Sequence, residues 1–419
     1  MELAGKRVAV VGLGASGIAA AKLCLSRGAT VVGVDEKPLG ALSPAARALS
    51  IEVKAQTEAN FDDFDWIIVS PGVPTFEALA QAKCPCIGEL ELAFQARKHV
   101  APVVAVGGTN GKSTVTSLVA ALIEGSGKKV FAGGNLGEPW AAHCDEPVDV
   151  VVLEVSSFQM ERLEQFRPDV AVLLNITDDH LDRYASFDDY ANAKGNCFVR
   201  QTPKDLAVIP EDDPVCLKQA KRGKGRIVQF ESVAPESIRL QGTHNARNAA
   251  AALAAIEPFG VSHEVAAHVL KNFEPLPHRM ILVAEFDGVR WYDDSKGTNV
   301  GASVTALLGL REEKAVLIAG GRDKHGSYGP LAEAMKKKGR AAVVIGEAAS
   351  HIEEALRDIV TVVHASSMDE AVRKAGELAM AGDAVLLSPA CSSFDMFRDY
   401  KHRGDEFVHA VRALEAQQK

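Results

Sequence analysis

The sequence has little of what marks a membrane-spanning or exported protein. Its uncharged run Val8–Ala21 covers 14 residues, whereas a transmembrane helix takes about 20, and no later segment is a better candidate. Lys6 and Arg7 precede this run, as in a signal peptide, but the glycines inside it favour a strand, a turn and a helix. We therefore expect a cytoplasmic protein with no stable membrane insertion.

Paired cysteines and an excess of positive charge are also lacking. The seven cysteines are scattered and form no CxxC pair, which indicates reduced thiols rather than a disulfide framework or a zinc knuckle. Lys and Arg total 46 against 55 Asp and Glu, a formal net charge of −9. A chain of this sign has no general attraction for nucleic acid, so we expect no nucleic-acid partner and local basic sites for any anionic ligand.

The length and the residue pattern indicate several α/β domains. A chain of 419 residues is too long for one hydrophobic core, and short β-branched runs alternate with helical patterns, as in stacked βαβ units with parallel sheets. We predict an α/β fold of three domains: a Rossmann-like N-terminal domain at 1–95, a P-loop-type central ATPase domain with a parallel sheet at 96–276, and a Rossmann-like C-terminal domain at 277–419. The predicted strands include 7–11, 30–34, 67–69, 103–106, 150–155, 169–174, 289–292, 315–318, 342–345, 360–363 and 384–387.

A glycine-rich turn follows the first predicted strand. Gly12-Leu-Gly-Ala-Ser-Gly17 fits G-x-G-x-x-G, and Asp35 ends the next strand. Such a turn lets backbone N–H groups approach a diphosphate while the acid accepts from a ribose. A nicotinamide dinucleotide and a UDP-sugar both meet this description, and a tight turn with no ligand is the structural alternative. Ser70-Pro-Gly72 is predicted at the same edge of the sheet.

The strongest local motif is Gly107-Gly-Thr-Asn-Gly-Lys-Ser-Thr114, which lies between a buried strand and a helix. In such a loop, backbone N–H groups and a lysine cradle phosphates, and the hydroxyl after the lysine binds Mg²⁺. The first glycine of G-x-x-x-x-G-K-[ST] falls on Val106, so this is a P-loop variant. We assign Lys112 to the β- and γ-phosphates and Ser113 to the metal.

Potential metal ligands follow two strands of the central segment. Glu154 ends an apolar strand, where the metal of a P-loop would lie, although a solvated strand end is the ordinary alternative. The tract Asn175–Asp182 follows the next strand and collects oxygen and nitrogen ligands. His180 is its candidate ligand, although an isolated histidine is more often structural.

The last segment places polar residues in turns after its strands. Lys296 and Lys324 each fall in a glycine-containing turn at a strand carboxyl end, where ligands of open α/β sheets bind, although most lysines are simply solvated. Ser388–Ser393 repeats this placement after the last strand. Cys391 within it suggests a nucleophile, but no histidine partner is identifiable near it, and we interpret it as structural.

Taken in order, these motifs resemble the Mur ligase and folylpolyglutamate synthase superfamily along nearly the whole chain. The residues that carry the resemblance are Gly108-Thr-Asn-Gly-Lys-Ser113, Glu154, Asp179-His180, His244-Asn245 and Asp294-Ser-Lys296. The first glycine turn, Ser156-Ser-Phe-Gln159 and Ser388–Asp395 are similar to the branch that adds D-glutamate. The resemblance implies that MgATP phosphorylates the carboxylate of UDP-N-acetylmuramoyl-L-alanine and that D-glutamate then attacks the acyl phosphate, in peptidoglycan precursor synthesis.

The resemblance also implies roles for individual residues. Lys112, His180, Lys194 and Lys296 would be catalytic. ATP contacts would come from Gly108, Thr109, Asn110, Gly111, Lys112, Ser113, Thr114, Asn245, Asn248, Arg279 and Asp294. The UDP-substrate would meet Gly14, Ala15, Ser16, Asp35, Glu36, Lys37, Ser70, Pro71, Gly72, Asn135 and His180. D-Glutamate would meet Thr298, Lys324, Ser393 and Tyr400, and two Mg²⁺ ions would use Ser113, Glu154, His180 and a carbamylated Lys194.

Three positions depart from the superfamily pattern. Tyr400 stands where Phe is expected, Arg322 precedes the Asp-Lys pair of the glutamate pocket, and the interval from His180 to Lys194 is one residue shorter than expected. Asn135 and His180 would also lie near the reacting phosphate and the second Mg²⁺.

We expect the protein to act as a monomer.

Three other interpretations remain open from the residues alone. A nicotinamide oxidoreductase accounts for the first glycine turn but not for the P-loop. A nucleotide-dependent switch protein accounts for the P-loop but leaves Lys296, Lys324 and Ser393 without a purpose. A sister Mur ligase or a folylpolyglutamate synthase accounts for the ATP site but not for the first domain or the Ser156–Gln159 run.

Overall fold

The computed structural model describes residues 1–179, 183–234, 237–239, 243–274, 276–323 and 327–418. The strands are β1 Arg7–Val11, β2 Thr30–Asp35, β3 Glu52–Ala55, β4 Trp66–Val69, β5 Cys86–Gly88, β6 Val103–Gly107, β7 Val130–Gly134, β8 Val150–Glu154, β9 Val170–Leu173, β10 Leu206–Pro210, β11 Arg226–Phe230, β12 Ile281–Phe286, β13 Val289–Asp293, β14 Ala315–Gly320, β15 Gly339–Ile345, β16 Thr361–His364 and β17 Ala384–Leu387. The helices are α1 Ala15–Ser26, α2 Pro44–Arg47, α3 Glu77–Ala80, α4 Glu89–Ala96, α5 Lys112–Gly125, α6 Ser157–Met160, α7 Phe187–Gly195, α8 Pro214–Ala220, α9 Thr243–Ala255, α10 His263–Asn272, α11 Val300–Gly309, α12 Gly329–Lys338, α13 Ala349–Leu356, α14 Met368–Leu378 and α15 Tyr400–Gln418.

The first sheet has the order β3-β2-β1-β4-β5, and all its neighbouring strands are parallel. Its central strand β1 is buried from Val8 onward, as expected for a parallel strand with neighbours on both sides. The first turn of α1 requires glycine at position 17, because a Cβ on Gly17 would lie 1.8 Å from the carbonyl oxygen of Gly12. Helix α1 can therefore begin close to the end of β1.

The second sheet has the order β11-β10-β9-β6-β8-β7 and is also parallel throughout. Strand β6 is fully buried and lies between β9 and β8. The predicted P-loop follows β6 directly, so it lies at the carboxyl end of a central strand. This is where open α/β sheets bind their ligands.

Two buried glutamates of α4 join the first sheet's helices to the second sheet's loops. Glu91 is fully buried and accepts hydrogen bonds from the backbone N–H groups of Glu164, Gln165 and Phe166, with distances of 2.8, 2.8 and 2.9 Å. Glu89 is also buried and accepts from the N–H of Ala141 at 2.6 Å. Buried carboxylates need such donors because an uncompensated one costs several kcal/mol, so these contacts fix α4 against the second sheet.

The third sheet has the order β12-β13-β17-β14-β15-β16. Alternate residues of β14 belong to different cores: Leu317 packs with α11, α12 and α13, while Ile318 packs with α14 and α15. The sheet is thus covered on both faces, as the predicted α/β class requires. One feature was not predicted: β12 is an edge strand that pairs antiparallel with β13.

The chain divides into two compact units. The first contains Met1–Ile176, Asp188–Ile238 and Arg247–Asn272, and the second contains Thr177–Phe187, Arg239–Ala246 and Phe273–Lys419. The first two sheets lie in the first unit and the third sheet in the second. The predicted domain boundaries at 95/96 and 276/277 stay predictions. Among the residues placed by the structure, no helix has the length and apolar character needed to cross a membrane.

Candidate active site

The P-loop is shaped by glycine and by a neighbouring helix. Gly111 caps the N-terminus of α5 with φ of 87°, a conformation that favours glycine. A Cβ at this position would lie 2.6 Å from Oδ1 of Asn248, so Asn248 of α9 packs directly against the loop. Lys112 begins α5, and its ammonium donates to the carbonyl of Thr109 at 2.8 Å. The loop therefore presents backbone N–H groups and a lysine together, as phosphate binding requires.

Asn175 holds the same loop from the end of β9. Its side-chain oxygen accepts from the N–H of Asn110 at 2.9 Å, and its side-chain nitrogen donates to the carbonyl of Asn110 at 3.1 Å. Its own carbonyl accepts from the N–H of Thr109 at 2.9 Å. The sequence analysis placed Asn175 in a ligand-rich tract, but in the structure it fixes the conformation of the P-loop.

Glu154 lies beside the start of the P-loop, as predicted. It ends β8 and pairs in register with Val106 of β6, and it is 3% exposed. The side-chain nitrogen of Asn135 donates to its Oε1 at 2.6 Å, and the N–H of Asn135 donates to its carbonyl at 2.9 Å. Ser113, in the first turn of α5, is likewise buried. One carboxylate and one hydroxyl are hard oxygen donors of the kind that Mg²⁺ prefers, so the residues present fit that ion.

Lys194 is a buried cation next to the P-loop. It lies in α7, is 2% exposed, and donates to the carbonyl of Gly108 at 2.8 Å. Its Nζ is 4.6 Å from the centre of the Tyr190 ring, and the hydroxyl of Tyr190 is 3.1 Å from that of Thr109. The structure thus brings Lys194 to the P-loop, and it adds Tyr190, to which the sequence analysis gave no role.

The glycine turn of the first sheet is held by two of its predicted ligand residues. Asp35 accepts from the N–H groups of Leu13 and Lys37 at 2.7 and 2.9 Å, and Ser70 donates to the carbonyl of Gly12 at 2.7 Å. The remaining residues predicted for this site occupy the start of α1 and the ends of β2 and β4: Gly14, Ala15, Ser16, Glu36, Lys37, Pro71 and Gly72. Asn135, which was assigned to the same substrate and to the vicinity of the reacting phosphate, lies against Glu154 in the second sheet.

Asp294 follows β13 in the second unit and is completely buried among polar partners. Ser388, after β17, donates to its Oδ2 at 2.7 Å. Burial raises the pKa of Asp294 to about 6, while the nearby guanidinium of Arg279 and the Ser388 hydrogen bond oppose the rise. Burial also lowers the pKa of His244 to about 4, with a further contribution from Arg279. The charge of Arg279 therefore acts on both residues, and Asn245 belongs to the same unit.

Lys296 and Tyr400 contact each other. The Nζ of Lys296 lies 3.4 Å from the Tyr400 hydroxyl and 4.9 Å from the centre of its ring. The hydroxyl of Ser295 donates to the carbonyl of Tyr400 at 2.8 Å. Lys296, which was assigned to catalysis, and Tyr400, which was assigned to the D-glutamate pocket, thus contact each other. Thr298 lies in the same turn as Lys296, and Ser393 is buried in the loop before α15.

Arg403 connects the two loops that carry these residues. It is fully buried and donates to the hydroxyl and the carbonyl of Ser295 at 3.0 and 2.8 Å and to the carbonyl of Cys391 at 3.1 Å. Burial lowers the pKa of Arg403 to about 10. No sequence motif pointed to it, because a basic residue in the middle of a helical pattern normally faces solvent.

The segment after β9 is held by α11. Asn299 caps α11, since its Oδ1 accepts from the N–H of Ala302 at 2.8 Å, and its nitrogen donates to Asp179 at 3.2 Å. Asp179 immediately precedes His180, which lies outside the described residues, as does Lys324. Cys391 lies 3.2 Å from the hydroxyl of Tyr328, a neighbour that does not act as a base at neutral pH.

Known protein families and solved structures are similar to this chain in sequence and in fold. Residues 106–236 match the Mur ligase middle domain and residues 278–391 match the glutamate ligase domain of Mur ligases. The solved structure of UDP-N-acetylmuramate-alanine ligase from Thermotoga maritima is 20% identical, with a TM-score of 0.62 over 98% of this chain and 100% of that one. The MurF ligase of Thermotoga maritima in complex with ADP has a TM-score of 0.62 at 17% identity, over 99% of this chain and 96% of that one. The fold and the P-loop site define a Mur ligase, a class of ATP-dependent enzymes.

Curated relatives narrow the class. A UDP-N-acetylmuramoylalanine--D-glutamate ligase from Trichlorobacter lovleyi is 40% identical over 450 aligned positions, with 99% of this chain and 100% of the relative covered. A protein of the same name from Geotalea uraniireducens is 42% identical, with 99% of each chain covered. The chain belongs to the UDP-N-acetylmuramoylalanine--D-glutamate ligase family.

Proposed function

We propose that the chain uses ATP and Mg²⁺ to join D-glutamate to UDP-N-acetylmuramoyl-L-alanine, as a monomer in the cytoplasm. The observation that carries the proposal is the P-loop at the carboxyl end of β6, with Glu154 ending the adjacent strand β8. This pair of features fits nucleotide and metal binding in one place. The family relationship supports the choice of substrates.

ATP would be bound through the loop that Asn175 and Asn248 hold in shape. The N–H groups of Gly108–Thr114 and the ammonium of Lys112 would contact the phosphates. Ser113 and Glu154 would hold Mg²⁺, and the bound ion would neutralise charge on the transferring phosphoryl group. His180 stays a predicted ligand of the second ion. Asn245, Arg279 and Asp294 stay predicted ATP contacts.

The reaction would proceed in two steps. The carboxylate of the UDP-substrate attacks the γ-phosphorus of ATP and ADP leaves, which gives an acyl phosphate. The neutral amine of D-glutamate then attacks the acyl carbon through a tetrahedral oxyanion, loses a proton and expels inorganic phosphate. Lys296, held against Tyr400, would place a positive charge where the acyl phosphate and the oxyanion develop negative charge.

The substrates would be positioned by the first and third sheets. Residues Gly14, Ala15, Ser16, Asp35, Glu36, Lys37, Ser70, Pro71 and Gly72 would contact the UDP moiety, and Asn135 would lie nearer to the reacting phosphate. Thr298, Lys324, Ser393 and Tyr400 would bind D-glutamate. Shielding of the acyl phosphate from water is required, since it hydrolyses readily.

Lys194 would act as a carbamate, formed when its neutral amine captures CO₂ and loses a proton. Its burial beside Gly108 and Tyr190 places the modified group near the nucleotide. A carbamate would convert a cation into an anion that can orient or bridge metal ions. A carbamate carbon signal from ¹³C-bicarbonate in NMR spectra, absent from Lys194→Met, is the expected result; its absence from the wild-type protein would contradict the modification.

Phosphate release tests the proposed reaction. The purified protein is incubated with MgATP and UDP-N-acetylmuramoyl-L-alanine, with D-glutamate, L-glutamate, L-lysine, meso-diaminopimelate or no amino acid. We expect release that requires both the UDP-substrate and D-glutamate and that disappears in Lys112→Ala, because the P-loop lysine contacts the transferring phosphate. Release with another acceptor would change the assigned amino-acid substrate. No release with any acceptor would contradict the proposed ligase mechanism.

A further inference from the structure

Two backbone segments of the third sheet that belong to the proposed D-glutamate pocket are joined to each other. The turn 321–323 follows β14 and precedes Lys324 in the sequence, and the loop 388–393 follows β17 and ends at Ser393. The N–H of Arg322 donates to the carbonyl of Ser392 at 2.9 Å, and these two residues form an antiparallel bridge. The position of the loop therefore depends on the position of the turn.

Asp323 anchors the turn 321–323 through a buried carboxylate. Its side chain is 5% exposed. The hydroxyl of Tyr328, which precedes α12, donates to Oδ1 at 2.9 Å, and Nδ1 of His351 in α13 lies 2.8 Å from Oδ2. Because a carboxylate only accepts hydrogen bonds, the imidazole donates through Nδ1. Each oxygen of Asp323 thus has a donor, as a buried carboxylate requires.

The hydroxyl of Tyr328 also contacts the loop 388–393. Its oxygen lies 3.2 Å from Sγ of Cys391, two positions before Ser393. Burial raises the pKa of Tyr328, and the neighbouring Cys391 and Asp323 raise it further, so the hydroxyl keeps its single proton. Since that proton is donated to Asp323, the thiol of Cys391 donates to the hydroxyl oxygen. Hydrogen bonds therefore run from the loop through Tyr328 to the turn.

The loop 388–393 is also held by other contacts in the same unit. The N–H of Ala390 donates to the carbonyl of Gly297 at 2.9 Å, and Thr298 follows Gly297 in the sequence. The guanidinium of Arg403 donates to the carbonyl of Cys391 at 3.1 Å. Loss of the Tyr328 contact would therefore shift the orientation of the loop while these contacts keep it attached.

We propose that Asp323 and Tyr328 are positioning residues for the amino-acid substrate: they set the loop 388–393 against the turn 321–323 and thereby orient Ser393. The inference rests on the proposed function, which assigns Ser393 to the D-glutamate pocket. Asp323, Tyr328, Cys391 and His351 are not assigned to ATP or to the UDP-substrate, so their hydrogen bonds should affect D-glutamate selectively. A purely structural pair would lower stability and leave the KM for D-glutamate unchanged.

Tyr328→Phe tests the inference, because it removes one oxygen and keeps the ring in the hydrophobic core. Phosphate release from MgATP and UDP-N-acetylmuramoyl-L-alanine is measured over a range of D-glutamate concentrations, and separately over a range of ATP concentrations. We expect the KM for D-glutamate to rise at least about fivefold, while kcat and the KM for ATP stay within about twofold of wild type. Thermal unfolding establishes that the variant is folded at the assay temperature.

Asp323→Asn tests the same hydrogen bonds from the other side. Asparagine offers one acceptor oxygen to the two donors Tyr328 and His351, so the KM for D-glutamate should rise here too. The double variant should show no larger rise than the more affected single variant, because residues that act through one shared contact are not additive.

Tyr292→Phe is the matched control. The hydroxyl of Tyr292 donates to the buried carboxylate of Glu312 at 3.1 Å, so the control loses a hydrogen bond of the same kind in the same unit. Glu312 precedes β14, whereas Asp323 follows that strand. We expect Tyr292→Phe to lower the unfolding temperature and to keep the wild-type KM for D-glutamate.

The outcomes separate this inference from the proposed function. A wild-type KM for D-glutamate in either Tyr328→Phe or Asp323→Asn, or an equal rise in the KM for ATP, would overturn the inference. An equal rise in Tyr292→Phe would also overturn it, since the effect would then follow from lost stability. If the wild-type protein uses another amino acid, the proposed substrate is wrong and the same comparison is made with that amino acid. If it uses none, the proposed function fails, and the inference fails with it.

Discussion

At the scale of single residues, a substitution of Glu154 can remove its negative charge without removing its hydrogen bond with Asn135. Gln at this position can still accept from Asn135 through its side-chain oxygen, so Glu154→Gln should fold normally while losing the negative charge beside the P-loop. We expect kcat/KM to fall by at least about 100-fold and the Mg²⁺ concentration for half-maximal rate to rise, as for the loss of a metal ligand. Phosphate release measured over a Mg²⁺ titration checks this.

Glu58→Gln provides the control, because Glu58 is an exposed glutamate in the turn after β3. It should leave both quantities unchanged. If Glu154→Gln keeps the wild-type Mg²⁺ dependence, Glu154 has no part in metal binding.

Tyr400 offers a second test at this scale because its hydroxyl and its ring contact Lys296 separately. Tyr400→Phe keeps the ring at 4.9 Å from Lys296 and removes the 3.4 Å contact between the hydroxyl and the ammonium, which is long for a hydrogen bond. We expect less than about a fivefold loss of kcat/KM for D-glutamate in Tyr400→Phe, and more than about tenfold in Tyr400→Ala, where the cation–π contact is also lost. Equal losses in both variants would show that the hydroxyl, not the ring, holds the lysine.

Residues that belong to a short motif could be predicted from the sequence, and residues that act through distant contacts could not. Lys112 and Glu154 could be proposed as site residues because each lies next to a buried strand in a recognisable order. Asn175, Tyr190 and Arg403 have no such signal, because their partners are 65, 81 and 108 positions away along the chain. Their roles depend on which loops the fold brings together.

At the scale of elements, helix α4 depends on Glu91. Gln in its place would turn an NH₂ group toward backbone N–H donors of Glu164, Gln165 or Phe166, which leaves buried donors without an acceptor. We expect Glu91→Gln to lower the free energy of unfolding by about 3 kcal/mol. Urea unfolding measures this, and Glu77→Gln, at an exposed position of α3, should be within about 0.5 kcal/mol of wild type.

Glu89 in the same helix makes stability depend on pH. Burial raises the pKa of Glu89 from 4.5 to about 7, against the Ala141 hydrogen bond. Between these values the folded state binds more protons than the unfolded state, so stability falls as pH rises. We expect a loss on the order of 1 kcal/mol between pH 6 and 8, measured by urea unfolding.

Two other buried groups contribute to the same pH window, so the contribution of Glu89 is measured as the difference between the wild-type protein and Glu89→Gln. The raised pKa of Asp294, about 6, acts mainly below this range. The lowered pKa of His244, about 4, has the opposite sign and makes stability rise with pH up to about 6.5. Glu89→Gln should therefore flatten the profile above pH 6.5, and an unchanged slope would assign the dependence to another group.

The sequence predicted some strands with their observed bounds and missed others. The predicted strands 7–11 and 384–387 have the bounds observed for β1 and β17, since both are apolar runs bounded by polar turns. Strand β12 was not predicted, because an edge strand with one face toward solvent has half-buried residues such as Ile281 and exposed ones such as Leu282. Glu89 and Glu91 were also missed, because acids in a helix normally indicate a solvated face.

At the scale of the whole molecule, the expected monomer is open to direct measurement. A chain of 44.5 kDa with a large buried core in each unit can be stable alone. We expect light scattering after size-exclusion chromatography to give this mass at micromolar concentration, with and without substrates. A mass near twice this value would contradict the monomer and would require a self-complementary surface.

The contact between Asn299 and Asp179 has a consequence for anyone who wishes to exchange parts between relatives. Asp179 is far from the third sheet in sequence, yet the second compact unit is assembled from the three segments Thr177–Phe187, Arg239–Ala246 and Phe273–Lys419. A chimaera made by a single cut near residue 276 would place a foreign residue opposite Asn299 and divide one compact unit. With the D-glutamate site proposed for this unit, transplanting amino-acid preference calls for moving all three segments as a set.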